Sequence, residues 1–327
     1  MQGTRSTRLL SLARRFVHIR TAAQSARTTT GSGAERTKGA ESTAGAEQTT
    51  HFGFQTVRES EKEQKVHEVF EQVANSYDMM NDAMSLGIHR VWKDVFVERL
   101  GPQHGMRLLD MAGGTGDIAF RYLRYLANQP NPQQRPSHVT VSDINQHMLD
   151  VGEERAKRLG LTTDRLPNSS VAWQCADAEK LPFQDDSFSA YTIAFGIRNC
   201  THVDKVHGAA PHNDRPIGFS SIQQTVFEED RAYRVLQPGG RFMCLEFSHL
   251  TNETMQWLYD QYSFQVIPPM GQLLAGQWQA YQYLVESIRR FPKQEHFKRM
   301  IEQAGFDQVS YENLTFGVVS IHSGFKL

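Results

Sequence analysis

Leu108-Leu109-Asp110-Met111-Ala112-Gly113-Gly114-Thr115-Gly116-Asp117 is the stretch on which the fold turns. Its apolar start, RLLDM over 107–111, reads as a buried strand. A glycine-rich turn follows without a break, and an amphipathic helix opens at Asp117. A strand that runs through glycines into a helix brings unpaired backbone N–H groups and an unobstructed backbone to one point, as ligand-binding α/β sheets do.

The same texture repeats outward from this turn. Toward the C-terminus come VTVSDI (139–144), a helix from Asn145 to Leu159, VAWQCAD (171–177), AYTIAFG (190–196), a helix ending at Leu236, and RFMCLEF (241–247). Strands alternating with helices imply parallel βαβ units. A long aromatic-rich helical region (251–291) and a helix at 294–304, stopped by Gly305, come next. The last two strand-like runs, DQVSYENLT and GVVSIHSGF, can pair antiparallel through a turn near Phe316 and Gly317. Toward the N-terminus lie two helical patterns, 59–75 with Val66, Val69, Phe70 and Val73 on one face, and 79–100 with Met80, Met84, Ile88, Val91, Trp92, Val95 and Phe96. The expected architecture is a doubly wound, Rossmann-like α/β sheet, mostly parallel, with an antiparallel hairpin at one edge.

The acids at the strand ends narrow the ligand. As a bare pattern, Gly114-x-Gly116-x-x-Ala119 also satisfies the dinucleotide rule, so an NAD-linked oxidoreductase is one reading. Asp110 precedes the turn and Asp117 closes it, a pairing that repels a pyrophosphate and suits a cofactor bearing an ammonium and a sulfonium, S-adenosyl-L-methionine. Asp143, at the end of the next strand, can take a ribose diol, and Asp177-Ala178, at the end of the third, can meet the adenine amino group. The expected cofactor set is Asp110, Gly114, Thr115, Gly116, Asp143, Asp177 and Ala178. Helix capping accounts for Asp117 alone better than for the whole set.

Composition sets outer limits. The 327 residues hold 35 basic and 36 acidic side chains, a formal charge of −1 that gives no general reason to expect nucleic acid. That sum conceals an asymmetry: residues 1–34 carry six arginines and no acid, so the remainder is −7. With 39% hydrophobic residues, a mean hydropathy of −0.51 and no run of 18 apolar residues, no membrane-spanning helix is expected. Cys175, Cys200 and Cys244 form no CxxC pair, and no histidine cluster has zinc spacing, so neither a disulfide framework nor a metal site is expected. Residues 1–34, Arg-rich and Ser/Thr-rich with Leu9, Leu12, Ala13 and Phe16 at helical spacing, read as a mitochondrial transit peptide, with a disordered basic tail as the alternative. Residues 35–50 read as a disordered linker, and the folded domain spans 51–327.

Two longer motifs carry a resemblance. Tyr77-Asp78-Met79-Met80-Asn81-Asp82-Ala83-Met84-Ser85-Leu86-Gly87-Ile88-His89-Arg90-Val91-Trp92 matches the pattern YDxMNxxxSxxxHxxW, and Arg234-Val235-Leu236-Gln237-Pro238-Gly239-Gly240-Arg241-Phe242-Met243-Cys244-Leu245-Glu246-Phe247-Ser248 departs from its counterpart only at Gln237, where lysine is usual. The chain from 51 to 327 thereby resembles the class I methyltransferases that C-methylate the quinol ring in ubiquinone and menaquinone biosynthesis. The resemblance implies a seven-stranded sheet and, with the transit-like leader, the mitochondrial branch acting on a methoxylated polyprenyl benzoquinol. It also implies a peripheral enzyme on the matrix face of the inner membrane, within a multi-protein ubiquinone-synthesis complex. A catalytically idle scaffold subunit of that complex is the non-enzymatic alternative.

C-methylation is an in-line displacement by a ring carbon made electron-rich through loss of a quinol proton, and the chemistry itself requires no metal. It requires a base or an oxyanion stabiliser, a dry pocket and alignment. Phe195-Gly196-Ile197-Arg198-Asn199 follows the fourth strand at the sheet's carboxyl edge, where such sheets bind ligands. Arg198 stays charged and is assigned to a developing phenolate, with Asn199 orienting the same oxygen. The base is sought among Tyr77, Asp78 and His89, with His89 favoured for its pKa; the alternative is that His89 and Trp92 anchor a lid helix. The aromatics Trp257, Tyr259, Tyr262, Phe264, Trp278, Tyr281 and Tyr283 read either as an apolar lid for a polyprenyl tail or bilayer, or as core helices. Arg289-Arg290 could meet anionic lipid. Residues 206–224, with two prolines and little periodicity, interrupt an expected helix and read as a surface insertion or as translated intron.

Overall fold

The structure, a computed structural model, describes residues 49–73, 77–200 and 232–327, all within a compact unit spanning Glu47–Leu327. For 70–73, 77 and 78 the backbone alone is described. The leader, the linker up to residue 48 and the 206–224 segment lie outside these residues.

Seven strands form one sheet. β3 (Arg107–Met111), β4 (Ser137–Asp143), β5 (Ser169–Cys175), β6 (Phe188–Ala194) and β7 (Leu236–Phe247) pair in parallel. β8 (Asp307–Leu314) and β9 (Val319–Phe325) complete it, in the order β5-β4-β3-β6-β7-β9-β8. The expected terminal hairpin forms through a short 3₁₀ turn, Thr315–Gly317. Its second strand, β9, lies inside, antiparallel to both β7 and β8, so the outermost strand β8 points the same way as the parallel core. The chain moves outward from β3 to β5, then returns to the other side of β3 as β6. The strand order therefore reverses between β3 and β6, and a crevice opens there at their carboxyl ends.

Both faces of the sheet are covered, and side chains alternate between them. On one face Leu109, Met111, Tyr191, Ile193, Phe242 and Cys244 pack against Phe297, Ile301 and Phe306. On the other, Leu108, Val139, Val141, Ala190, Met243 and Leu245 pack against Phe96, Tyr122 and Leu123. The Tyr191 and Phe242 rings stack 5.6 Å apart at the centre of the first layer. Truncating a buried aromatic of this kind costs about 3–5 kcal/mol. The second layer is built by α3 (Ile88–Leu100) and α4 (Asp117–Ala127), while α5 (Gln146–Leu159) packs on β4 and β5.

The N-terminal helices differ from the expectation in one respect. After a small hairpin, β1 (Thr49–Phe52) with β2 (Gln55–Arg58), come α1 (Glu59–Val73) and α2 (Tyr77–Ser85). The single helix expected over 79–100 is two, α2 and α3, because Leu86 and Gly87 take φ of 51° and 78°, outside the helical region. Leu86 is consequently 92% exposed rather than packed. The long aromatic region likewise divides into α7 (Glu253–Gln265), α8 (Ile267–Ala275) and α9 (Trp278–Arg290), reached through a short α6 (Ala232–Val235) and β7. Pro268 and Pro269 sit in the first turn of α8 and Gly276 ends it at φ 68°. α10 (Gln294–Gln303) packs on the terminal hairpin.

Candidate active site

A cavity of about 850 Å³ fills the crevice at the ends of β3 and β6. Its floor is the turn from Asp110 to Asp117, flanked by Asp143–Asn145 and Asp177–Glu179, and α1 supplies Glu63, Val66 and His67 to its wall. Lys62 Nζ, buried on α1, donates to the Cys200 carbonyl at 2.7 Å and ties the helix across the opening of β6. The turn admits a ligand because it lacks side chains. A Cβ at Gly113 would stand 2.7 Å from Val141 Cγ1 and 2.9 Å from the Asp110 carbonyl oxygen. The residues directly after β3 and β6, Ala112 and Phe195, take φ of 50° and 57°, a conformation that costs a non-glycine residue on the order of 1–3 kcal/mol.

The acids expected at the strand ends fall into two groups. Asp110 lines the cavity and is fully buried; Thr192 Oγ1 donates to its Oδ1 at 2.9 Å, and its Oδ2 has no hydrogen-bond partner among the described residues. Desolvation pushes its carboxyl up to about 7, against the pull of the Thr192 bond. Asp143 accepts from Gly114 N–H at 3.0 Å and from Asn145 N–H at 2.9 Å, and burial raises its pKa against those bonds. Asp177 accepts from the Glu179 N–H at 2.8 Å, with Ala178 buried beside it. Gly114, Thr115, Asp143, Asp177 and Ala178 all line the cavity, whereas Gly116 lies behind it and is not among its wall residues. Gly116 shapes the turn instead, at φ 80°, where a Cβ would stand 2.8 Å from Phe120 and Trp173.

Asp117 does not act as the sequence suggested. It pairs with Lys93 Nζ at 2.7 Å, with Arg121, and with Arg155 at 3.4 Å. Burial alone would raise its pKa, but Lys93 and Arg121 hold it well below the usual carboxylate range. Three cations compensate this charge, so of the two acids that frame the turn Asp110 is the one with no cation beside it among the described residues.

A second, smaller cavity adjoins the first and shares Lys93, Phe195 and Asn199 with it. Arg198 and His89, also on its wall, come here from opposite sides of the chain's midpoint. Arg198 Nη1 donates to Glu246 Oε1 at 2.8 Å and to the Phe195 carbonyl at 2.6 Å, while its plane lies 5.5 Å from the Phe247 ring centre. Its Nε is buried and unpartnered among the described residues. Burial raises the Glu246 pKa and Arg198 opposes that rise. Asn199 Oδ1 accepts from the Tyr283 hydroxyl at 3.1 Å, which directs the amide. His89 shares a 2.9 Å hydrogen bond between Nε2 and Asp82 Oδ1, and its Nδ1 is buried without a partner among the described residues. Desolvation lowers the His89 pKa, so the imidazole is neutral near pH 7. Tyr77 opens α2, with its side chain outside the described residues.

Gly113, Asp82, Lys93, Glu246 and Tyr283 went unnoticed as site residues in the sequence. Gly113, Asp82 and Glu246 stood inside motifs already quoted. Asp82 lies seven positions before His89, a spacing that only the break at Leu86-Gly87 converts into contact. Lys93 carried no signal apart from its place on an amphipathic helix, and Tyr283 stood only among the aromatics read as a lid or as core helices.

The residues present fit S-adenosyl-L-methionine: a buried carboxylate oxygen without a partner meets a cation, a cradle too tight for a Cβ meets a ligand backbone, and further acids flank both. The fold and this site define an S-adenosylmethionine-dependent methyltransferase built on a class I sheet. Over its full length the chain is 83% identical, across 329 residues and all of both chains, to mitochondrial 2-methoxy-6-polyprenyl-1,4-benzoquinol methylase of Drosophila melanogaster. It is 51% identical over 305 residues to the Danio rerio protein of that name, covering 85% of each. Among solved structures it is similar to a SAM-dependent methyltransferase from Aquifex aeolicus, at 14% identity and TM-score 0.44 over 72% of this chain and 89% of that one. The sequence model of the ubiE/COQ5 methyltransferase family matches residues 58–211 and 218–326, and the chain belongs to that family.

Proposed function

We propose that the chain methylates a ring carbon of 2-methoxy-6-polyprenyl-1,4-benzoquinol, the compound named for its relatives, with the ring held where the smaller cavity, about 70 Å³, meets the larger one and its oxygen directed toward Arg198, Asn199 and His89. The observation that supports this most is the junction of the two cavities at Lys93, Phe195 and Asn199, which puts a proton acceptor and a fixed cation beside the cofactor space. Bound in the larger cavity, S-adenosyl-L-methionine supplies a methyl group activated by its sulfonium. Asp110 would hold the cofactor's ammonium, Asp143 its ribose hydroxyls, and Asp177 with Ala178 its adenine. Gly114, Thr115 and Gly116 keep the turn open and correctly bent.

The chain's own residues make the ring nucleophilic. His89 Nδ1 accepts the quinol proton, and Arg198, held by Glu246 and the Phe195 carbonyl, stabilises the phenolate that remains. Asn199, steered by Tyr283, fixes the same oxygen so that the adjacent ring carbon faces the methyl group. Phe195, Phe247, Tyr281 and Tyr283 on the wall of the smaller cavity, with Met84 and Leu284, exclude water that would otherwise solvate the phenolate.

The enzyme's setting in this reading is the matrix face of the mitochondrial inner membrane, in company with other subunits of ubiquinone synthesis. Relatives named as mitochondrial and the Arg-rich leader support it. No helix among the described residues is long and apolar enough to cross a membrane. An exposed apolar set, Leu86 and Val91 beside the α2–α3 turn and Leu273, Leu274 and Trp278 around α8, supports peripheral contact.

The test is turnover of a short-tail demethyl quinol by the full chain and by Arg198→Met. The wild type is expected to give methylated quinol, and the variant to lose on the order of 100-fold in kcat while binding S-adenosylmethionine normally. Undiminished turnover by the variant would remove the smaller cavity as the reaction site.

A further inference from the structure

The group that steers His89 is not one the reaction itself calls for. Asp82 sits on α2 and His89 on α3, brought together by the bend at Leu86-Gly87. The Asp82 carboxylate takes a bidentate contact from Arg90, Nε to Oδ1 at 2.8 Å and Nη2 to Oδ2 at 2.7 Å, and Oδ1 also meets His89 Nε2 at 2.9 Å. An ionised carboxylate only accepts, so Nε2 must carry the proton in this pair and Nδ1 must present a lone pair. Nδ1 is buried and has no partner among the described residues, and His89 lines the cavity that Arg198 and Asn199 also line.

We propose that Asp82 is a positioning residue for the methyl transfer, fixing the His89 imidazole as the Nε2–H tautomer so that Nδ1 can take the quinol proton. The inference rests on His89 being the base. In the step it serves, the quinol O–H bond breaks with its electron pair left on oxygen, an Nδ1–H bond forms, and the imidazolium charge is offset by Asp82. The ring carbon takes the methyl group as the S–CH3 bond breaks with its electron pair left on sulfur; the proton on that carbon then leaves to solvent, aromaticity returns as a phenolate, and Nδ1–H gives its proton back to that oxygen, so the net reaction releases one proton. Arg90 keeps Asp82 ionised and in line, a role its exposed position allows without touching the cavity.

The charged groups facing His89 set how its titration responds. Asp82 from α2 and Asp117 from α4 raise its pKa, Lys93 from its own helix lowers it, and burial lowers it most. Arg198 faces the same cavity from the turn after β6. Removing the Asp82 carboxylate therefore moves the acid limb of kcat to lower pH while freeing the ring to exchange tautomers.

The experiment combines ¹⁵N NMR of histidine-labelled full-length protein with kcat–pH profiles of the wild type, Asp82→Asn and His89→Gln on a short-tail quinol. The wild-type spectrum should show His89 as Nε2–H. Asp82→Asn should show mixed tautomers, a kcat lowered about 10- to 100-fold, an acid limb at lower pH and an unchanged KM for S-adenosylmethionine. A wild-type spectrum showing the Nδ1–H tautomer overturns the proposal whether or not the variant folds. So does an Asp82→Asn enzyme with wild-type kcat and limb when His89→Gln has abolished the limb. If His89→Gln itself retains the limb, the base assignment fails first and the Asp82 inference falls with it.

Discussion

Asp110 is a carboxylate held in a place that disfavours its charge, which makes it the most testable single residue. Its pKa, raised to about 7, means the unliganded fold binds a proton there that the unfolded chain gives up above about pH 4. This group's contribution to stability therefore falls as pH rises from about 4 to 7. A bound ammonium reverses the preference and favours the carboxylate. Binding of S-adenosylmethionine should release a proton near pH 7 and tighten between pH 6 and 8, read by calorimetry in buffers of different ionisation enthalpy. Asp110→Asn should bind at least ~10-fold more weakly and without that proton release. A variant with the wild-type affinity and proton release would detach Asp110 from the cofactor. The positions of Asp110, Asp143 and Asp177 were legible because strand ends can be counted along the sequence. The fate of Asp117 was not, since Lys93 and Arg155 reach it from other helices and no local pattern records that.

Among the elements, the junction of β9 with α10 has its own titration. His322 is 1% exposed, and its Nε2 bonds the Gln294 carbonyl at 3.0 Å. Desolvation lowers its pKa to about 4, outweighing the Gln294 bond. The folded protein keeps this ring neutral while the unfolded chain protonates it below about 6.5, so stability from this group is lost as pH falls from 6.5 toward 4, by on the order of 3 kcal/mol. Urea unfolding of His322→Gln should show a flatter pH dependence across that window than the wild type, and an equal slope would place the acid sensitivity elsewhere. The element pattern itself could be read closely from the sequence: β3 is RLLDM as expected, and β4, β5 and β6 begin two residues before the expected runs. β3, β4 and β6 were legible because each is a short apolar run buried on both faces, and the half-buried β5 because Val171, Ala172 and Trp173 still form such a run. The break between α2 and α3 was hidden because the apolar spacing continues through Leu86, which the backbone then turns to solvent. The β1–β2 hairpin was hidden because Thr49 and Thr50 share the composition of the linker before them. Its Phe52 stacks on Tyr283 at 4.2 Å, a contact across the whole chain that sequence spacing does not encode.

For the molecule as a whole, the proposed membrane contact would bring lipid to the exposed apolar residues near the smaller cavity. Met84 lines the smaller cavity and is tied through its carbonyl to the Tyr262 hydroxyl at 2.8 Å, while Leu86, two residues on, and Leu273 stand 92% and 84% exposed. A doubly substituted chain, Leu86→Glu with Leu273→Glu, should sediment less with vesicles containing anionic lipid while keeping its melting temperature and its rate on a short-tail quinol. Unchanged sedimentation would move the membrane contact to another face. The aromatic-rich region shows why the sequence left this open: Tyr281 and Tyr283 pack inside whereas Trp257 and Trp278 face out, and helical spacing alone does not sort them. The central claim, that this chain places a methyl group on a quinol ring carbon, is tested most directly by supplying the full chain with S-adenosylmethionine carrying a ¹³C methyl and a short-tail 2-methoxy-1,4-benzoquinol, and locating the label by NMR. The expected result is a labelled methyl bonded to a ring carbon next to a quinol oxygen. Label found on oxygen, or no transfer to the quinol by a protein that binds the cofactor, would contradict the account.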